Sequence, residues 1–240
     1  MTGTASTEAA PVVAFTGGTF RAIICNMKYV LKESAMSHCD ATQNIQDRDR
    51  LRRIVDFFNE AGMLRFTPRT GYQFLGSGKE NVAEHSFRTA VIGWTLARMA
   101  GADAPRTALI CLFHDLPEAR TGDFNYVNRI YNSTLPRKAM EDAAFGTGLA
   151  DELLSFWDEL ENNAGPEARL AHDADALDLI LNLKRELDLG NKAAADWLNY
   201  ALQRLQTPVG RELAGLIAET DHNAWWFNGP DASWWQRPGG

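Results

Sequence analysis

The chain has 240 residues, of which 45% are hydrophobic and 23% charged, and its formal net charge is −7. This balance is typical of a globular protein and excludes a disordered chain, a collagen-like repeat and a small disulfide-rich domain. A nucleic-acid-binding protein needs a sustained basic stripe to neutralise phosphates. The sequence has none, so we expect no nucleic-acid partner. No run of about 18 apolar residues occurs either, so we expect no membrane partner and a cytoplasmic location.

The N-terminal part of the chain is predicted to contain an extension and two helices. Residues 1–45 are rich in Ala, Thr, Ser and Gly without sustained periodicity, which predicts a poorly ordered extension. An apolar repeat then predicts a helix that ends near Gly62, and a second repeat predicts a helix over residues 82–100. The repeating residues are Leu51, Ile54, Val55 and Phe58 in the first helix, and Phe87, Ala90, Val91, Trp94 and Ala97 in the second.

The middle of the chain also carries helical patterns. Pro105 suits a first helical turn and predicts a helix that continues from Arg106 to about Glu118. Three or four helices follow, and the longest one begins at Gly165 and is stopped by Gly190. No alternating strand pattern and no hairpin dipeptide occurs, so the sequence predicts an all-α fold.

The C-terminal segment, residues 207–240, is predicted to hold a last helix from Pro208 and a tryptophan-rich tail. Four of the seven tryptophans stand in this tail, as the pairs 225–226 and 234–235. Paired indole rings expose a large apolar area unless something covers them. We therefore predict that the tail packs on the helical domain or across a homodimer interface.

Two short segments combine histidine with acidic side chains. His85 lies near the start of the predicted second helix, and alone it is also consistent with a capping or core histidine. The pair His114-Asp115 follows an apolar run, so it emerges from a buried helix. Burying a carboxylate beside an imidazole is costly without a partner such as a metal ion. If the helix continues, Glu118 lies on the same side as this pair.

A third segment lies in the longest helix, which is apolar around most of its circumference. Asp175, Asp178 and Asn182 share one narrow polar stripe, which is either a solvated face completed by Arg185 or a set of side chains aimed at the histidines. Two histidines and two aspartates make a suitable site for one divalent cation. Such an ion lowers the pKa of bound water towards about 7 and so permits hydrolysis at neutral pH.

The order His85, His114-Asp115, Asp175 resembles the H…HD…D signature of the HD-domain metal-dependent phosphohydrolases. The segments ENVAEHSFR (residues 80–88) and HDLPEARTGD (114–123) resemble motifs of the 5′-deoxynucleotidase branch, and TPRTGY (67–72) resembles the segment that precedes the first motif there. The resemblance covers about residues 47–205. It implies an all-α HD-domain helical bundle over residues 46–206.

The resemblance also implies roles for individual residues. One divalent ion (Mn, Co, Fe, Mg or Zn) is expected. The expected catalytic residues are Glu118, which would protonate the leaving group, and Asp123, which would orient water or substrate. Asp173 is the alternative to Asp175 as the fourth metal ligand. We prefer Asp175 because the sequence Asp-Ala-Leu matches the family's Asp-x-Leu. The expected metal ligands are His85, His114, Asp115 and Asp175, and the expected substrate-binding residues are Arg69, Tyr72, Asp115, Asp123, Phe124, Asn125 and Tyr126.

The implied function is removal of the 5′-phosphate from (deoxy)nucleoside monophosphates by a homodimeric enzyme. The chain departs from the branch at Tyr72, where other members have Trp, and after Asp123, where Asn125 and Arg129 replace a Pro-rich, Lys-containing continuation. Two alternatives stay open: a nucleoside triphosphate phosphohydrolase acting on a nucleotide or nucleotide-like metabolite, and a non-catalytic nucleotide-binding HD protein. A dinuclear site would need additional histidines, and only His172 is available.

Overall fold

The computed structural model describes residues 38–227, with side chains over residues 47–226. Two 3₁₀ helices, Gly62–Phe66 and Thr70–Phe74, follow the first helix. The described residues contain no strand, which confirms the all-α prediction. The helices are α1 (His38–Ala61), α2 (Val82–Ala100), α3 (Ala104–Phe113), α4 (Glu118–Thr121), α5 (Tyr126–Tyr131), α6 (Pro136–Ala144), α7 (Ala150–Glu161), α8 (Gly165–Asp188), α9 (Ala194–Leu202), α10 (Pro208–Glu219) and α11 (Ala224–Phe227).

The chain divides into two units, Met1–Asp47 and Arg48–Gly240, and the core and the candidate site lie in the second. Helix α8 is the centre of this unit and packs against α2, α3, α7, α9 and α10. Leu170, Ala171, Ile180 and Leu183 are buried on different sides of α8. A helix with neighbours around most of its circumference needs apolar residues there, which confirms the buried central helix that the sequence predicts. None of the described helices is long and apolar enough to cross a membrane.

Helix α2 begins with a capping box. The Asn81 side chain accepts a hydrogen bond from the Glu84 backbone N–H (2.9 Å), and the Glu84 carboxylate accepts one from the Asn81 N–H (3.2 Å). Two otherwise unpaired N–H groups are satisfied in this way, and the start of the helix is fixed at Val82. The first turn of α2 therefore has a defined position, and it carries His85.

The large side chains of the apolar repeat of α2 do not lie on its buried side, although Ala97 of the same repeat does. Phe87 and Trp94 are 69% and 50% exposed, whereas the buried side is formed by smaller or polar residues. Helix α1 behaves similarly, since Leu51 and Phe58 are exposed and Phe57 is buried. Periodicity alone is therefore a poor guide to the packing of these two helices. The buried residues of α2 are Val82, His85, Ser86, Thr89, Gly93, Leu96 and Ala97.

The structure corrects one predicted helix. The sequence predicts a helix that continues to about Glu118, but α3 ends at Phe113 and α4 starts afresh at Glu118. Pro117 explains the break, because a proline inside a helix lacks an N–H donor and clashes with the carbonyl four residues earlier. His114 and Asp115 consequently lie in the turn between two helices, rather than on the side of one.

At both ends of the described residues the structure contains helix that the sequence does not predict. Helix α1 starts at His38, inside the predicted extension over residues 1–45, and α11 follows the helix that the sequence predicts to be the last. Trp225 is 81% exposed, and the Trp226 indole N–H donates to Asn223 Oδ1 (3.2 Å). The remainder of the extension and residues 228–240, with the second tryptophan pair, lie outside the described residues. The domain boundaries and the docking of the tail stay predictions.

A close approach between α2 and α3 brings the first two motifs together. A Cβ atom at Gly93 would collide with the Cys111 Sγ atom on α3. Only glycine lets these two helices approach as closely as they do, so its lower helix propensity is offset by packing. This contact lies on the buried side of α2, two turns after His85, and Cys111 is three residues before His114.

We expect Gly93→Ala to lower the free energy of unfolding by about 1–2 kcal/mol, because overpacking outweighs the gain in helix propensity. Urea unfolding measures the change. The control is Gly215→Ala in α10, where no described atom lies within 4 Å of the added Cβ and the change should be neutral or stabilising. The double variant Gly93→Ala/Cys111→Ala should lose less free energy of unfolding than the sum of the losses in the two single variants. Equal effects at Gly93 and Gly215 would contradict this account.

Candidate functional site

Four side chains from three parts of the fold converge on one point. His85 comes from α2, His114 and Asp115 from the turn after α3, and Asp175 from α8. His85 Nε2 lies 3.2 Å from His114 Nε2, 3.4 Å from Asp115 Oδ2 and 3.4 Å from Asp175 Oδ1. His114 Nε2 lies 3.2 Å from Asp115 Oδ2. The structure thus brings together all four residues that the resemblance implies as metal ligands.

These separations fit a shared ion. Ligand bonds of about 2.1 Å in octahedral or tetrahedral geometry place neighbouring ligand atoms about 3.0–3.4 Å apart. The donor set, two imidazoles and two carboxylates, suits Mn, Fe, Co or Zn ions and balances a double positive charge. One atom from each of His85, His114 and Asp175 lies within 4.8 Å of the others. The chemistry and the spacing of His85, His114 and Asp175 therefore fit a divalent metal ion, and Asp115 lies beside both imidazoles without belonging to this mutually close group.

Both imidazole rings are held with the same nitrogen towards the cluster. His85 Nδ1 lies 2.8 Å from Asp178 Oδ2, and His114 Nδ1 lies 2.6 Å from the Cys111 carbonyl oxygen. Because a carbonyl or carboxylate oxygen can only accept, each Nδ1 donates and each Nε2 is directed at the cluster. Partners of this kind fix the tautomer and the ring orientation that a metal ligand needs.

Asp178 is the centre of a buried polar network behind His85. Its second oxygen, Oδ1, accepts a hydrogen bond from Arg88 Nε, and Arg88 Nη2 donates to Glu80 Oε1 (3.2 Å). Asn182 Nδ2 also donates to Glu80 (3.0 Å). Burial opposes the charge on Asp178, but His85 and Arg88 hold the pKa of its carboxyl below the usual range. Of the two interpretations of the polar stripe on α8, the inward one holds for Asp175 and Asp178, which face His85, whereas Asn182 contacts Glu80.

Arg69 supplies positive charge on the open side of the cluster. Its Nη1 atom lies 3.2 Å from Asp115 Oδ2 and 4.0 Å from Asp123 Oδ1, and its Nη2 atom lies 4.0 Å from Asp175 Oδ1. Burial opposes the guanidinium charge, but Asp115, Asp175 and Asp123 outweigh it and raise the pKa of Arg69. The side chain therefore carries a permanent charge beside the candidate metal ligands.

The carboxyl group of Glu118 has an uncommon environment. Its Oε2 atom is buried and has no hydrogen-bond partner among the described residues. Burial, together with the charges of Asp115 and Asp123, raises the pKa of Glu118 to about 9. A group with this pKa is protonated at neutral pH and can act as a proton donor. Asp115 differs: despite burial, its interaction with His114 and the charge of Arg69 hold its pKa well below the usual range.

Asp123 links the two loops that frame the site. Its Oδ2 atom accepts hydrogen bonds from the Thr70 backbone N–H (2.5 Å) and the Thr70 hydroxyl (3.1 Å). Thr70 Oγ1 in turn accepts from the Asn125 backbone N–H (3.0 Å), while Asn125 Oδ1 caps α5 by accepting from the Asn128 N–H (2.9 Å). These contacts hold Arg69, the neighbour of Thr70, against the cluster.

Two residues considered from the sequence lie elsewhere. Asp173 is fully buried and accepts hydrogen bonds from the backbone N–H groups of Gln206 (2.6 Å) and Thr207 (2.8 Å), so it anchors the start of α10. His172 Nε2 contacts the Leu160 carbonyl oxygen (3.1 Å). The structure therefore places Asp175, and not Asp173, in the cluster, and it places no third described histidine there.

The cluster opens into a cavity of about 310 Å³. His85 is fully buried beneath its floor, whereas the other predicted site residues line its wall. Burial raises the pKa of Tyr72, so its phenol stays neutral. The predicted residues that line the cavity are Arg69, Tyr72, His114, Asp115, Glu118, Asp123, Phe124, Asn125, Tyr126 and Asp175.

The sequence analysis missed two large side chains in this cavity, Trp197 and Arg204. Arg204 Nη2 donates to Asp175 Oδ2 (3.1 Å), and its Nη1 lies 3.4 Å from the Tyr126 hydroxyl. Neither residue belongs to a recognisable motif. The sequence feature that could have indicated them is the spacing of Trp197, Tyr200 and Arg204. This spacing places aromatic and basic side chains on one side of a helix and the turn after it.

Comparison with known proteins identifies the family to which this chain is related. A family model described as "HD domain" matches residues 61–216, which contain all the residues of the cluster. The chain belongs to the HD-domain family. A solved structure from Pyrococcus furiosus, described as a conserved hypothetical protein, has 27% sequence identity and a TM-score of 0.57, and the match covers 69% of this chain and 97% of that one.

Two curated HD relatives carry functional names. The 5′-deoxynucleotidase HDDC2 of Danio rerio is 26% identical over 145 residues, which cover 58% of this chain and 72% of that protein. A 5′-deoxynucleotidase of Klebsiella pneumoniae (strain 342) is 31% identical over 126 residues, which cover 47% of this chain and 63% of that protein. The family resemblance expected from the motifs is thereby confirmed.

We expect Asp178→Asn to weaken divalent-metal binding by about 10- to 100-fold, because the amide no longer offers His85 a charged acceptor. Calorimetric titration of the metal-free protein with Mn²⁺ or Co²⁺ measures this. Asp151→Asn, at an exposed position of α7, is the matched control and should bind the ion normally. Unchanged affinity in a folded Asp178→Asn protein would show that the network does not orient His85.

Proposed function

We propose that this HD-domain protein is a metal-dependent phosphohydrolase that removes the 5′-phosphate from deoxynucleoside monophosphates. The observation that carries the proposal is the convergence of His85, His114, Asp115 and Asp175 in one cavity with a carboxyl group, Glu118, that is neutral at pH 7. The relatives named 5′-deoxynucleotidase support the substrate class. A protein that only binds nucleotides has no need of a proton donor at this position, which disfavours the non-catalytic alternative.

The proposed metal ligands are the four residues of the cluster. When bound, a divalent ion supplies a water molecule of lowered pKa and polarises a phosphoryl oxygen. Arg69 is directed at the same point and offers a planar, permanently charged group suited to phosphate oxygens. We propose that Asp123 orients substrate or water through Thr70 and Arg69. Tyr72 and the segment 124–126 form the adjacent wall.

Glu118 is proposed as the general acid. Hydrolysis breaks the bond between phosphorus and the 5′ oxygen, and the electron pair of that bond stays on the oxygen. An alkoxide is a poor leaving group, so a proton delivered to this oxygen assists the reaction. Glu118 is protonated at neutral pH because it is buried near Asp115 and Asp123, and after donation its charge is stabilised by Arg69.

A nucleoside triphosphate phosphohydrolase is the second candidate. The observation in its favour is the presence of two further cations, Arg129 and Arg204, in the wall of the same cavity. Additional phosphates would need such charges. The products separate the two functions: a nucleotidase releases inorganic phosphate from dAMP, whereas the alternative enzyme releases triphosphate or pyrophosphate from dATP.

We also propose that the protein is a homodimer. The exposed apolar residues of α2, Phe87 and Val91, support an interface on that side of the fold. Light scattering after size-exclusion chromatography measures the mass. The identity of the physiological metal and the cytoplasmic location stay predictions from the sequence.

The phosphohydrolase proposal predicts metal-dependent release of phosphate from dAMP, tested with Mn²⁺, Co²⁺, Fe²⁺, Mg²⁺ and Zn²⁺ after chelation. His114→Ala and Asp115→Ala should each lose both bound metal and hydrolysis. His172→Ala is the matched control, because His172 contacts the Leu160 carbonyl and not the cluster. Full metal occupancy in both the His114 and Asp115 variants would remove these residues from the metal site.

Glu118→Gln tests the proton donor separately from the metal. The amide keeps the size of the side chain but cannot supply a proton, so we expect turnover of dAMP to fall by about 100-fold or more with metal retained. The effect should be much smaller on p-nitrophenyl phosphate, whose leaving group needs no proton. Glu152→Gln, at an exposed position of α7, is the control. Loss of metal would assign Glu118 to positioning a ligand, and normal turnover would exclude a catalytic role.

A further inference from the structure

A second cavity, of about 560 Å³, adjoins the cavity of the candidate site. The two share Leu75, Tyr126, Trp197 and Arg204 in their walls, so these side chains contact both cavities. The walls of the second cavity are predominantly apolar and aromatic. We call it the aromatic recess, and its lining residues are Phe74, Leu75, Tyr126, Ala193, Asp196, Trp197, Tyr200, Ala201 and Arg204.

Three of the four rings of the aromatic recess are exposed, and the fourth, Trp197, is half-buried. Phe74, Tyr126 and Tyr200 are 49%, 54% and 69% exposed. Tyr126 and Trp197 meet edge to face, with ring centroids 6.3 Å apart and an interplanar angle of 70°. Ring faces left open beside a polar cluster provide a surface on which a planar aromatic group can stack.

Two contacts fix the aromatic recess relative to the phosphate end of the site. Arg204 bridges Asp175 of the cluster and the hydroxyl of Tyr126 in the recess. On the other side, a Cβ atom at Gly71 would lie 2.7 Å from Trp197 Cη2, so the indole packs directly on the backbone of the loop that carries Arg69. A ligand held by Arg69 through a phosphate therefore has Trp197 as a close neighbour.

We propose that the aromatic recess is the nucleobase subsite and that the base stacks on Trp197. This inference rests on the proposed function, since it assigns the part of the substrate that the metal and Arg69 do not hold. Stacking tolerates any base, because every base has a π-face. The recess would consequently favour nucleotides over sugar phosphates without strong selection among bases.

The test compares dAMP with 2-deoxyribose 5-phosphate, which has the same phosphate and sugar but no base. We expect Trp197→Ala to lower kcat/KM for dAMP by roughly 5- to 150-fold, the range for loss of one base–aromatic stack, with kcat/KM for the base-free substrate unchanged. Trp197→Phe keeps a ring and should retain most of the dAMP activity. Tyr131→Ala, at a ring of α5 that is 80% exposed and outside the recess, should leave both substrates unaffected.

Two results would overturn the inference. An equal loss on both substrates would mean that Trp197 only supports the Gly71 loop, and no loss on either would place the base elsewhere. Equilibrium dialysis with deoxyadenosine provides a readout without turnover. If the wild-type protein hydrolyses neither substrate, the proposed function fails, but weaker deoxyadenosine binding in Trp197→Ala than in Tyr131→Ala still supports the subsite. Equal or absent deoxyadenosine binding in both variants and the wild type would then refute it.

Discussion

Mutual repulsion among buried carboxylates is the constraint on which the rest of the site depends. Asp115, Asp123, Asp175 and Glu118 line one cavity, in which Arg69 lies 3.2 Å from Asp115 and Arg204 lies 3.1 Å from Asp175. The fold meets this repulsion in two ways: it keeps Asp115 and Asp175 charged beside imidazoles and arginine, and it leaves Glu118 protonated. The excess of negative charge attracts a divalent cation, and the burial of Glu118 separately favours its protonated form.

The scaffold keeps these groups close because its packing leaves little freedom. Gly93 permits the approach of α2 to α3, and Gly71 permits the approach of the Arg69 loop to Trp197. Asp178 and the Cys111 carbonyl then hold the two imidazoles in matching orientations. Asp178 and the Cys111 carbonyl contact the imidazoles directly, so a small displacement of either changes the ligand geometry.

The proposed substrate would lie along a gradient of polarity. At one end are the candidate metal ligands and Arg69, and at the other are the open rings around Trp197, with Arg204 in contact with both parts. A nucleoside monophosphate has the same order of groups: a dianionic phosphate, a polar sugar and a planar base. This correspondence assigns the proposed preference for nucleotides over sugar phosphates to α9. This helix follows the last family motif in the chain.

The sequence by itself determined the helical class and the apolar circumference of α8, because capping residues, proline and apolar periodicity act over a few neighbouring positions. The candidate metal ligands came from the resemblance of its motifs to those of the HD-domain family. Only the tertiary structure decided that Asp175 rather than Asp173 meets the histidines, that Phe87 and Trp94 face outward, and that Trp197 and Arg204 join the cavity. These outcomes depend on which helix packs against which side. A periodic pattern identifies the apolar side of a helix, but it does not show which helix packs against that side. In α2 the buried side instead carries polar residues that the site requires.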